Sequence, residues 1–257
     1  MAKPTIADVM AEIQGVRWIV DQMANVTLAG VKPPPPPHVA PLHKEALARV
    51  TSWDIAPTGP DADLVVCEGS WAPEAVVDLK IADGRRRFVL SLVSLAEPGA
   101  ETGKRDWWDI VALKIKVAQA EGFDGVCLAD ADAYLDKIDW TATREKATAE
   151  AVISLAHYAK ARGGQDFVVF LGNAPELIPY PGVLEVIDGA VHEDLFYGIA
   201  DDGRPNAQSY VDDVTALLRR VNGPILVLEH DLPAAAAPVA RRLGAVRGFK
   251  VAIKGAE

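Results

Sequence analysis

The sequence predicts an α/β fold: a (β/α)8 barrel of the TIM type, preceded by an N-terminal heptad helix and a proline linker. Three observations lead there. From about Glu45 onward, short β-type runs alternate with helical stretches, the pattern of βαβ units laid into a parallel sheet. Eight such runs fit within roughly 210 residues, the lower end of the size of a closed barrel. The GxGxxG that would follow the first strand of an open, doubly wound sheet is absent, which disfavours that competitor.

The first element is a helix from Thr5 to about Val26. Ile6, Val9, Ile13, Val16, Val20 and Met23 are spaced 3, 4, 3, 4, 3, a heptad seam rather than a broad amphipathic stripe. Thr5 reads as its N-cap, with Asp8 in the first turn. β-Branched residues at both seam positions lean toward three strands or more, so a homotrimer through residues 5–26 is the expectation. Packing of this helix on its own domain is the alternative. Pro33 to Pro37 follow without interruption and form a semi-rigid polyproline spacer; a PxxP ligand is the competing reading. Length, 257 residues, accommodates one large domain with an appendage. The expected division is 1–30 for the helix, 31–44 for the linker and 45–257 for the barrel.

Strands are predicted at Arg49–Trp53, Leu64–Glu68, Phe88–Leu95, Gly125–Leu128, Phe167–Leu171, Val186–Val191, Ile225–Leu228 and Phe249–Ile253. Helices are predicted near Pro73–Ala82, Trp107–Ala120, Arg144–Arg162, Ala207–Val221 and Pro233–Leu243. Apolar residues make up 50% and charged residues 24% of the chain, enough for a sizeable core.

Composition also excludes functions. The net charge of −10 argues against nucleic acid as a partner, since binding phosphates needs cationic surface. Cys67 and Cys127 cannot build a disulfide framework, and both sit in apolar runs where a thiol is inert. No apolar stretch reaches the ~20 residues that span a bilayer, and no secretory signal pattern opens the chain, so no membrane partner is expected. No GxxxxGK[ST] or GxSxG occurs, which disfavours phosphoryl transfer and α/β-hydrolase chemistry. His192 and His230 lie near carboxylates, but without HxxxH-type spacing no metal is expected, and no cofactor is implied.

In a barrel the C-terminal strand ends form the working face. Here they carry Asp54, Glu68, Glu97, Asp130 with Asp132, Asn173, Glu193, and Glu229 with His230. Acids converging on one mouth raise one another's pKa, which is costly as scaffold and useful for general acid–base work. Glu193, delivered by a buried strand, is the leading acid. Asp130 and Asp132 are two acids directly after a strand, more than capping needs. Asp124 and Asp188, each before a Gly, read as turn residues. Trp53, Trp71, Trp107, Trp108 and Trp140 fall near strand ends, where aromatic faces stack on sugars or pack in the core.

Two segments resemble a known family. Gly122-Phe-Asp-Gly-Val-Cys-Leu-Ala-Asp-Ala-Asp-Ala-Tyr is similar to the "GFDGVFLDxxDxY" signature of polygalactosaminidase-type glycoside hydrolases (family 114). Ile187-Asp-Gly-Ala-Val-His-Glu-Asp-Leu-Phe-Tyr is similar to their "iDGvvxExlfY" element. Asp63-Leu-Val-Val-Cys-Glu, Ser94-Leu-Ala-Glu97 and Phe170-Leu-Gly-Asn173 match weaker elements. The resemblance spans about Arg49 to Ile253. It implies a metal-free barrel cleaving α-1,4-linked galactosamine or related amino-sugar polysaccharides. An ungapped match puts Ala129 where the family has a carboxylate thought to be catalytic; Asp132 and Glu193 match its other two acids.

The expectation is therefore a polysaccharide hydrolase with Glu193 as general acid and Asp130, one residue beyond the vacant position, as nucleophile or base. Asp132, Glu68, Glu97, Asn173, Tyr134 and Trp53 are expected to hold substrate. The alternative is an inactive glycan-binding or structural module, docked to a larger assembly such as a virion tail or surface appendage. A cytoplasmic location is the alternative to that placement.

Overall fold

The structure is a computed structural model, and it describes residues 44–55, 62–69, 71–81, 85–96, 105–132, 142–198 and 204–255. The predicted heptad helix, the proline linker up to residue 43, Glu97, Tyr134 and Trp140 lie outside the described residues.

Eight strands form one sheet in sequence order, every neighbouring pair parallel. They are β1 (Trp53–Ile55), β2 (Leu64–Cys67), β3 (Phe88–Ser94), β4 (Gly125–Ala129), β5 (Val168–Gly172), β6 (Gly189–Glu193), β7 (Ile225–His230) and β8 (Lys250–Lys254). Between them run α1 (Pro73–Lys80), α2 (Arg105–Glu121), α3 (Ala142–Gly163), the single turn α4 (Val183–Val186), α5 (Gln208–Leu218) and α6 (Ala237–Arg247). This is the (β/α)8 barrel that the alternation predicts. At the seam, the Trp53 indole N–H donates to the Lys250 carbonyl at 2.9 Å and ties β1 to β8.

Two apolar layers follow from the alternation of side chains along each strand. Leu64, Val66, Phe88, Leu90, Cys127, Val168, Phe170, Val191, Leu226, Leu228 and Ala252 fill the barrel interior. Val65, Val89, Val126, Leu128, Val169, Leu171, Ala190, Ile225 and Val227 face the helices instead. Strands buried on both faces read as continuous apolar runs, which is why they stand out in the sequence.

The first predicted strand is displaced. Lys44–Arg49 forms a 3-10 turn and the strand begins at Trp53. Leu47 and Val50, which suggested a strand, insert into the interior cluster from the amino-terminal side. The sixth strand starts three residues later than predicted because Val183–Val186 closes a helical turn first. That turn and the 3-10 turn Pro175–Leu177 are too short to leave a periodic signal.

Asp63, Asp124 and Asp188, each immediately before an even-numbered strand, are clamps; the turn role expected of Asp124 and Asp188 gives way to this. Asp63 accepts the Thr51 and Ser52 amides ahead of β1 at 2.8 and 3.1 Å. Asp124 accepts the Val89 amide of β3 and pairs with Lys80 at 2.9 Å and Arg86 at 2.7 Å. Asp188 accepts the Val169 amide of β5 and pairs with Lys160 at 2.9 Å. The glycines beside two of them make room: a Cβ on Gly125 would strike the Val168 carbonyl, and one on Gly189 the Phe170 ring.

Among the described residues no helix is long and apolar enough to cross a membrane.

Candidate active site

Following the inward face of each strand to its carboxyl end gives the ring around the mouth. Beyond the interior residues Val66, Leu92, Cys127, Phe170, Val191, Leu228 and Ala252, the next positions of the same parity are Glu68, Ser94, Ala129, Gly172, Glu193, His230 and Lys254. The ring is lopsided. It is small on β3, β4 and β5, and charged on β6, β7, β8 and β2.

The chain leaves several strands in one unusual way. Asp130, Asn173, Asp194 and Asp231 have φ of 53°, 54°, 52° and 47°, and they are the non-glycine residues with positive φ among those described. Each is the first residue after β4, β5, β6 or β7. Asn and Asp tolerate this left-handed region best, at a cost of roughly 1–2 kcal/mol. In two cases a hydrogen bond to the next strand offsets that cost. Asn173 Oδ1 accepts the Glu193 amide at 2.8 Å. Asp194 Oδ1 accepts the His230 amide at 3.1 Å and faces His230 Nδ1 at 3.2 Å. The Asp231 carboxylate lies against the Gly255 backbone, where a Cβ would strike it. Asp130 and Asp231 have the strained conformation without such a bond: among the described residues neither carboxylate has a hydrogen-bond or ion-pair partner.

Glu193 is likewise unpartnered at its carboxylate, while its amide is pinned by Asn173. The charges of both acids reach one interior group. Burial pushes the Cys127 thiol up to about 12, and the charges of Glu193 and Asp130 both add to that shift. Across the ring, Lys254 Nζ meets Glu68 Oε1 at 3.8 Å. His230 is held above its ordinary value by the Asp194 hydrogen bond, with burial opposing.

The other predicted residues divide. Glu68 is exposed at the mouth, paired to Lys254. Asn173 reaches the mouth, but its oxygen is spent on positioning Glu193, so only its amide group remains for a ligand. The charge of Asp132 is felt at Glu176 and Tyr210, which belong to the 3-10 turn after β5 and to α5. Trp53 is corrected: it opens β1 at the far end of the barrel, 5% exposed, and closes the seam instead of stacking on sugar. Trp107 is fully buried and donates to the Leu95 carbonyl, and Trp108 packs edge-on against Tyr158. Trp71, half-buried, donates to the Glu68 carbonyl beside the mouth.

Glu229 is also corrected. It faces outward, fully buried, accepting the Phe196 and Tyr197 amides at 2.9 and 3.1 Å. His192 faces outward too, with Nε2 3.1 Å from the Tyr210 hydroxyl, and burial lowers it to about 4. His192 and His230 thus point to opposite faces of the sheet and cannot share a metal. Among the described residues no group of three or more His, Cys, Asp or Glu is placed to hold one. The Asp194–His230 pair went unpredicted. The signal for it was parity: His230 shares the inward face of Leu226 and Leu228.

The model of glycoside-hydrolase family GH114 matches residues 97–239. No curated protein matches the chain. Among solved structures, Aspergillus fumigatus Ega3, determined in complex with galactosamine, superposes with a TM-score of 0.63 at 19% identity, covering 85% of this chain and 95% of that one. The glycoside hydrolase domain of PelA from Pseudomonas aeruginosa gives 0.59 at 17% identity, covering 79% and 93%. At these identities the two likenesses speak for the shared fold.

Proposed function

Because the chain belongs to glycoside-hydrolase family GH114, we propose that it hydrolyses an amino-sugar polysaccharide at the acidic mouth of its barrel. Ega3, solved with galactosamine, supports the substrate class. So does the chain's own charge: a sum of −10 and free carboxylates at the mouth favour a cationic, amine-bearing polymer.

The observation that carries the mechanism is the pair of unpartnered acids, Glu193 and Asp130, felt together at the interior thiol of Cys127. Glycosidases work with two carboxyl groups flanking the scissile bond. Glu193, fixed at its backbone by Asn173, protonates the departing glycosidic oxygen. Asp130 attacks the anomeric carbon or activates the water that does. Glu68 and Asp132 hold sugar hydroxyl or ammonium groups around them, with Glu97 and Tyr134 assigned to the same task by the family pattern. Carboxyl groups ~5–5.5 Å apart give retention of anomeric configuration, and ~6.5–9.5 Å gives inversion.

The test is reducing-end release from α-1,4-linked galactosamine polymers and other amino-sugar chains. Glu193→Gln is expected to lower turnover by about 10²–10⁴-fold, the usual contribution of a positioned proton donor. Unchanged release would remove Glu193 from the reaction.

A second reading rests on Ala129, which occupies the inward β4 position with a methyl group. Under it the barrel binds the glycan without cutting it. Binding without reducing-end release, with release appearing in Ala129→Asp, would select that reading. In either case residues 5–26 would assemble the chain as a trimer on a larger structure; a solution mass of one chain would count against this.

A further inference from the structure

We propose that His230 selects for the amino group of the sugar: Asp194 fixes its ring so that Nε2 offers a lone pair to a donor at the mouth, and protonating that nitrogen makes the site repel an ammonium. The inference rests on the amino-sugar reading above and adds a residue to it.

His230 sits on the inward face of β7, between Glu193 on β6 and Lys254 on β8, its direct partner across the ladder. Its side chain is 32% exposed, and Nε2 has no hydrogen-bond partner among the described residues. Asp194 Oδ1 takes both the His230 amide and Nδ1. A carboxylate can only accept, so the ring proton resides on Nδ1 and the neutral ring presents Nε2 as an acceptor. Asp194 is itself immobilised: its amide donates to the Leu228 carbonyl at 2.8 Å, and its carbonyl accepts Asn206 Nδ2 at 2.7 Å. The ring is therefore aimed before any ligand arrives.

The charges that face His230 are Asp194 and Glu193 from β6 and its exit, which favour the imidazolium, and Lys254 from β8, which opposes it. Glu68 on β2 engages Lys254 at 3.8 Å, and Asp231 on the same loop turns toward Gly255. Hydrogen bonding to Asp194 raises the His230 pKa above its ordinary value, with burial opposing. Above that pKa, a sugar ammonium donates to Nε2. Below it, two cations meet at hydrogen-bonding distance, where Coulomb repulsion is large. An N-acetylated sugar, whose amide N–H carries no charge, escapes the repulsion.

Calorimetric binding of galactosamine oligomers and their N-acetylated counterparts, in the Glu193→Gln background so that bound chains persist, tests this. Between pH 5.5 and 7.5 the galactosamine affinity is expected to rise about fivefold or more, from the loss of one close like charge, and the acetylated affinity by less than about twofold. His230→Gln, neutral at every pH, should flatten the galactosamine profile. Asp194→Asn should shift its midpoint toward acid, a change that mere loosening of the loop would not produce. An unaltered profile in His230→Gln, or equal profiles for the two glycans, overturns the inference alone. No binding of either glycan by any variant overturns the amino-sugar reading and this inference with it.

Discussion

At the residue scale the mouth is built from one repeated device. A left-handed Asn or Asp ends a strand and spends its side chain on the next one, as Asn173 does for Glu193 and Asp194 for His230. Asp130 shares the conformation and keeps its carboxylate free. Asp231 does the same at the end of β7; of the two, Asp130 follows the strand whose motif carries the family's acids, so its strain is the one that points to function. Asp130→Gly should then be nearly silent in stability: relief of the left-handed cost of roughly 1–2 kcal/mol is offset by the roughly 0.5–1 kcal/mol of backbone entropy a glycine gives up. Turnover should nonetheless collapse. Asn173→Ala should behave oppositely at equilibrium, losing about 1–3 kcal/mol because the Glu193 amide forfeits its acceptor. Urea unfolding of both variants beside the reducing-end assay separates the cases; a marked loss of stability in Asp130→Gly would assign that residue to the scaffold. The device was half legible. The acids at strand ends are visible in the sequence, but a sequence does not show which side chain is consumed by a backbone amide. That is how the bond from the Glu193 amide to Asn173 stayed hidden and Glu229 passed for a mouth residue.

At the scale of elements, the opposite end of the barrel uses the same chemistry in reverse. Asp63, Asp124 and Asp188 precede β2, β4 and β6 and reach back to β1, β3 and β5. The sheet is stapled in pairs below and strand by strand above. The Asp-Gly pairs at 124–125 and 188–189 suggested turns because that dipeptide favours them; the glycine is required instead by the neighbouring strand and by Phe170. The strands themselves were legible because burial on both faces makes them continuous apolar runs. Trp53 was misplaced because the first strand begins four residues later than its apolar pattern suggested, which moves the indole to the far end. Asp124 is fully buried against Lys80, whose side chain is 5% exposed. Removing one partner of such a pair strands the other, at a cost of about 3–5 kcal/mol. Asp124→Asn should therefore lower the urea midpoint sharply, and Lys80→Met introduced into that variant should recover part of the loss. A second substitution that only adds to the damage would show that Arg86 and the Val89 amide, not the Lys80 pair, carry the energy.

For the whole molecule, the buried acids set how stability follows pH. Burial pushes the Glu121, Glu176 and Glu229 carboxyls up to about 7. The unfolded chain ionises them near 4.5, so between those values the folded protein holds protons that the unfolded chain has released, and stability falls as pH rises. His230, raised by Asp194, acts in the same direction above its ordinary value. His192 opposes them: lowered by burial to about 4 from 6.5, it adds stability as pH rises through that interval. Three acids outweigh one imidazole, so the melting temperature should decline from pH 5 to 7.5. Glu121 offers the cleanest test because it closes α2 and is none of the strand-end residues that ring the mouth, with Oε1 buried and unpartnered. Glu121→Gln should match the parent at pH 4.5 and exceed it at pH 8 by on the order of 1–3 kcal/mol, the free energy of a shift of this size. The gain should develop across pH 4.5–7. A gain that is equally large at pH 4.5 would mean that the glutamine improves packing and that the buried charge is not what destabilises the barrel in alkali.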